Sequence, residues 1–103
     1  MFDKLQSIKE RYEKVVSDLS VPNIAQSEML KLNKERAQLE PIVEEFDKYT
    51  AKVNEKLENE TLLDDEDAEM RAMAQDELTR LNSEIESLNQ HIKILLLCFR
   101  LEQ

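Results

Sequence analysis

No glycine occurs among the 103 residues of this chain, where average usage of about 7% would supply roughly seven. Glycine is the default residue for left-handed turn positions, for tight hairpin turns and for loops that bring backbone close to a phosphate. A chain without it is poorly equipped for a multi-stranded sheet with tight turns, and it lacks the means to make a P-loop or a dinucleotide-binding turn. Long helices joined by polar connections are what it can build. The missing glycines therefore point to an all-α body with no glycine-dependent catalytic loop.

The length corresponds to one domain at most. Charged residues make up 36% and aromatic residues 5%, which leaves little material for a wide core. The 41% hydrophobic share is nevertheless too high for a disordered acidic tail, and it is patterned rather than scattered. An elongated shape with a narrow apolar seam between helices is expected. Fourteen Lys and Arg against 23 Asp and Glu give a net charge of −9, a sign that disfavours binding to phosphate backbones, which needs clustered basic charge. The positive residues are spread from Lys4 to Arg100 and often sit beside acids, as in Lys34-Glu35-Arg36. They read as solvated helix faces, and the expected partner is protein rather than nucleic acid.

Cys98 is the only cysteine, so an intrachain disulfide is excluded. Met1-Phe2-Asp3-Lys4 lacks the basic-then-apolar run of a signal peptide, and the longest apolar stretch, Ile94 to Phe99, is far short of the roughly 20 residues that span a bilayer. A cytoplasmic protein with no membrane contact is the expectation.

Hydrophobic spacing divides the chain into three helices. Phe2, Leu5, Ile8, Tyr12, Val15 and Leu19 form one amphipathic stripe, predicting a helix over 2–19. It should end before Pro22, which disfavours helical geometry at Val21, so Ser20-Val21-Pro22-Asn23 reads as a corner. A second helix, about 27–63, carries Leu32, Leu39, Ile42, Val43, Phe46, Tyr49, Val53 and Leu57, with Asn23 or Ser27 as its cap. The pattern stays in phase across Pro41, which predicts a kink rather than a stop. Asp64-Asp65-Glu66-Asp67 then marks a second corner, where Asp65 or Asp67 can accept from the free amides of the next helix. A calcium loop needs a central glycine, and none exists. In the third helix, about 67–97, Ala74, Leu78, Leu81, Ile85, Leu88, Ile92 and Leu95 alternate spacings of four and three, a coiled-coil-like seam. The two long helices should fold back antiparallel, with Leu81 and Ile85 facing Phe46–Val53, and the first helix should cover part of that hairpin. The fold expected is an elongated three-helix bundle. So regular a seam also suits a homodimer, which is left open.

No catalytic constellation emerges. His91 is the only histidine and cannot build a multi-histidine metal site. The serines lie in no glycine elbow, and the Glu-x-x-His motifs of a diiron bundle are absent. Met70 and Met73 read as part of the apolar seam, although a soft contact patch is the alternative. The chain is expected to be no enzyme, with no catalytic, cofactor-binding or metal-binding residue, no cofactor, and binding residues that the pattern does not identify.

Three stretches carry a family likeness. They are Leu39-Glu40-Pro41-Ile42-Val43, the run from Leu62 to Leu78 that reads LLDDEDAEMRAMAQDEL, and Ile94-Leu95-Leu96-Leu97. Together with Arg11-Tyr12-Glu13 and the Ser-x-Pro corner, they closely resemble the N-terminal domain of the bacterial peptide chain release factor 1 family, class I release factors, over about residues 1–97. The acid run followed by EMRAMAQDEL is the specific part. The resemblance implies a three-helix domain that lies apart from the decoding and catalytic parts of intact factors. It further implies a domain that faces the ribosomal stalk base and influences communication with the release-factor GTPase. After the Leu-Leu-Leu run the family continues with Pro-Lys-Asp and a glycine-rich domain, whereas Cys98 to Gln103 form a divergent tail here. No Pro-x-Thr tripeptide for stop-codon reading is present, and a Gly-Gly-Gln tripeptide cannot exist without glycine. The chain is thus expected to be a release-factor N-terminal domain, truncated before the decoding and Gly-Gly-Gln domains and unable alone to recognise a stop codon or hydrolyse peptidyl-tRNA. The competing expectation is a helical-hairpin or homodimeric coiled-coil adaptor with no ribosomal role.

Overall fold

The computed structural model describes residues 2–102, with side chains described as far as Arg100. Its elements are α1 (Phe2–Leu19), α2 (Gln26–Thr61), a 3-10 turn (Leu62–Asp64) and α3 (Ala68–Glu102), and the described residues include no strand. The all-α expectation holds.

Each boundary has a local cause. α1 closes by tightening its last turn: the Ser20 and Val21 amides donate to the Ser17 and Asp18 carbonyls at 3.1 and 3.3 Å. Pro22 then ends the helix, and Asn23 takes φ 62°, the only positive φ among the described residues. A proline followed by a positive-φ residue is the type II turn pattern. In a chain without glycine, asparagine is the side chain that tolerates the left-handed region best. Asn23 is thereby spent on the corner and does not cap α2, and Ser27 lies inside the helix. The cap position is Ala25, extended at φ −63° and ψ 141°, with no side-chain hydrogen bond. The sequence expectation of an Asn23 or Ser27 cap is overturned for that reason.

α2 runs unbroken through Pro41. Proline withholds the amide that would bond the Ala37 carbonyl, but Ala37 and Pro41 are both exposed, so water can satisfy that oxygen. At the second corner the backbone stays right-handed through Asp64 and turns extended at Asp65, φ −63° and ψ 147°. The Asp65 carboxylate accepts from the Asp67 amide and the Asp67 carboxylate from the Glu69 amide, each at 2.9 Å. Asp67 does the capping expected at this corner, while Asp65 accepts from an amide that precedes α3 and closes the turn. α3 does not stop at residue 97 but continues to Glu102. Nothing in Cys98-Phe99-Arg100 breaks a helix, and Phe99 packs against the core. Gln103, the last residue of the expected tail, lies outside the described residues.

α2 is the central element. The backbones of α1 and α3 each approach it closely and, among the described residues, do not approach each other. α1 runs antiparallel to α2: the Phe2 ring meets the Phe46 ring edge-on at 5.6 Å, while Arg11 grips Glu35 through two hydrogen bonds of 2.7 Å. α3 also runs antiparallel to α2, with Glu45 beside His91 and Lys52 beside Glu84. This register moves the seam from its expected place. Because the 3-10 turn carries on the α2 side before the chain reverses, Leu81 lies opposite Glu55, and Ile92 rather than Leu81 joins Phe46. The core cluster is Leu5 and Ile8 of α1, Leu39, Ile42, Val43 and Phe46 of α2, and Ile92 of α3.

The molecule measures 62 × 30 × 17 Å with a radius of gyration of 18.7 Å, against about 13 Å for a compact chain of this length. α1 lies along one half of the hairpin only. One end is a three-helix body; the other is a two-helix tip closed by the 3-10 turn and the acidic corner.

Candidate functional site

The residue types that carry chemistry do not converge. His91 is half exposed, and its Nδ1 lies 3.1 Å from Glu45 Oε2. Partial burial pushes the Glu45 carboxyl upward, but hydrogen bonds from Lys48 and His91 outweigh it and hold the group below the usual carboxylate range. The arrangement ties α2 to α3. Cys98 is free and exposed on α3. Among the described residues, no group of three or more His, Cys, Asp or Glu side chains is placed to hold a metal ion. The hollows between helices are open grooves, such as that between Ala51 and Glu55 of α2 and Ser87 and Leu88 of α3.

What the fold does arrange is charge. Residues 51–85, which form the two-helix tip, hold eleven acidic and four basic residues, a net −7 of the chain's −9. The rest of the chain has twelve acidic and ten basic residues, a net −2. In the body the charges pair across helices: Lys9 with Asp47 at 2.8 Å, and Arg11 with Glu35. The Arg11 guanidinium holds the Glu35 carboxyl below its ordinary range. In the tip, Lys52 and Arg80 satisfy Glu55, Glu77 and Glu84. Among the described residues Glu58, Glu60, Asp64, Glu66, Glu69 and Asp76 form no ion pair. Arg71 relieves none of them, because its guanidinium donates to the Asp65 and Glu66 carbonyls at 2.6 and 3.1 Å. It latches the corner and leaves the carboxylates to solvent.

The same region overturns the reading of Met70 and Met73 as seam residues. They are 36% and 65% exposed. Met70 falls on the phase of the buried stripe, but at the tip no third helix lies across from it. Leu57 is 57% exposed for the same reason, since α1 begins at Phe2, which lies beside Tyr49, Val53 and Asn54 and reaches no further along α2. Periodicity could not reveal this. The acid-rich setting of the two methionines was the available signal.

The molecule is a helical hairpin braced on one half by α1, with open grooves between its helices. The chain belongs to the PCRF domain family, whose model matches residues 8–100. It is 42% identical over 97 residues to peptide chain release factor 1 of Campylobacter concisus, covering 92% of this chain and 27% of that protein. It is 36% identical over 95 residues to peptide chain release factor 1 of Anaeromyxobacter sp., covering 90% of this chain and 26% of the relative. The chain therefore spans about a quarter of the length of these curated relatives. No solved structure matches it significantly. The likeness to release factors drawn from the acid run and EMRAMAQDEL holds. No helix among the described residues is long and apolar enough to cross a membrane.

Proposed function

We propose that this chain is a ribosome-contacting module of translation termination, a release-factor N-terminal domain that binds near the ribosomal stalk base without reading stop codons or hydrolysing peptidyl-tRNA by itself. The observation that carries the reading is the family match over residues 8–100 in a chain that holds no glycine. Without glycine these residues contain no Gly-Gly-Gln tripeptide. The partner is protein rather than nucleic acid, which the net charge of −9 supports.

Ala74, Leu78, Leu81 and Ile92 of the α3 seam are buried within the single chain, which favours the ribosomal reading over a homodimer built on that seam. Two assays test the proposal together. The domain should pellet with ribosomes at micromolar concentration and should release no peptide from peptidyl-tRNA in a termination complex. Failure to pellet, or measurable peptide release, contradicts it.

A further inference from the structure

We propose that the tip of the α2–α3 hairpin is the docking end of the molecule, and that Met70 and Met73 insert there into an apolar recess on a lysine- and arginine-rich protein surface. This inference names the contacting end and the partner's chemistry, and it rests on the ribosome-contacting reading above.

Two independent observations converge on the tip. Met70 and Met73 stand three residues apart on the first turns of α3, so they share a face, and both are exposed. Methionine is unbranched and polarizable, which suits it to adapt to a partner's surface. The field around the pair is strongly negative and largely uncompensated. A net −7 falls in residues 51–85, with Asp64, Glu66, Glu69 and Asp76 free of ion pairs among the described residues. An apolar anchor within a single-sign rim is the arrangement in which the anchor supplies affinity and the charge steers encounter and excludes like-charged partners. Here it repels phosphate and attracts basic protein.

Of the other exposed apolar residues, Leu57 lies in the same acidic tip, whereas those of the body lack this setting. Ile94 and Leu97 on the outer face of α3 are each 59% exposed, but their neighbours include Lys93 and Arg100, and no charge pattern there selects a partner. The corner is also held locally: Asp67 caps α3, Asp65 accepts from the Asp67 amide, and Arg71 bridges back to the corner carbonyls. Arg71 in the EMRAM motif therefore serves the loop, which leaves the flanking methionines as the part turned outward.

The test uses the whole chain and intact ribosomes, with protein-free ribosomal RNA as a second probe. Three variants are compared with wild type by co-sedimentation: Met70→Ser with Met73→Ser; Asp64→Lys with Glu66→Lys and Asp76→Lys; and Ile94→Ser with Leu97→Ser as the control. All these side chains are exposed, and unchanged helicity and melting temperature verify the fold. The tip variants should each weaken ribosome binding by roughly tenfold or more, the scale of a lost anchor, while the control binds as wild type. A photo-crosslinker at position 73 should label ribosomal protein and not RNA. Binding that survives both tip variants, or crosslinking to RNA alone, overturns this inference and leaves the ribosome-contacting reading standing. Wild-type protein that fails to pellet overturns both.

Discussion

Ile92 and Leu81 both lie on α3 and both are fully buried, yet different neighbours bury them. Ile92 belongs to the cluster where side chains of all three helices meet. Leu81 lies outside that cluster, eleven residues toward the corner, where α3 has only α2 to lean on. The body thus owes its order to a third helix, and the tip owes its order to one apolar seam and a capped corner. Packing density and charge diverge together: the body is paired and nearly neutral, the tip thin and strongly acidic. In so small a domain, the thinner half should be the cheaper to open, and it is the half proposed to meet a partner.

The comparison breaks or sharpens first at those two residues. Ile92→Asp buries a carboxylate with no partner and should abolish folding. Ile92→Ala should cost about 2–5 kcal/mol, the range for deleting a large buried aliphatic side chain, measured by urea unfolding. Leu81→Ala should fall near the bottom of that range, because a two-helix section collapses more readily around a cavity. Its effect on amide exchange should be confined to residues near the corner. If both variants lower protection uniformly along α3, the body and tip are one cooperative unit and the distinction fails.

Next in size is the corner itself. Asp67→Ala removes the acceptor for the Glu69 amide and should cost about 0.5–2 kcal/mol, read as faster exchange in the first turns of α3. Acid should act on the ion-paired carboxylates, Glu35 of the body and Glu77 and Glu84 of the tip. The Glu35 carboxyl is held below its ordinary value of 4.5, chiefly by the hydrogen bond from Arg11. A depressed folded-state pKa contributes stability that is present above the unfolded value and is lost as pH falls through the folded one. Stability should therefore be flat from neutrality down to the ordinary carboxylate range and decline below it. Arg11→Gln should flatten that decline. The smallest effect is expected at Asn23: replacement by glycine relieves a positive φ but loosens the unfolded chain, so the net change should stay within about 1 kcal/mol.

Much of this architecture was legible in the sequence, and the failures have one physical source. The stripe from Phe2 to Leu19, the Pro22 corner and the capping role of Asp67 follow from rules that act within a few residues. Burial at the tip does not. Whether Met70, Met73 and Leu57 are covered depends on how far α1 extends along α2, which no local pattern encodes. The hairpin register has the same character, since it is set by the 3-10 turn at Leu62–Asp64 rather than by heptad spacing. Asn23 was misread as a cap because a chain without glycine had a more urgent use for it. The proposed contact surface was visible only as an acid run until the methionines proved to be exposed.

The most direct test of the functional reading exploits Cys98, a single exposed thiol remote from the tip. A fluorophore placed there reports ribosome binding by anisotropy without touching the proposed contact. The expected result is saturable binding that an intact peptide chain release factor 1 displaces. No anisotropy change with ribosomes in micromolar excess, or binding that the intact factor leaves undisturbed, would contradict a role in termination.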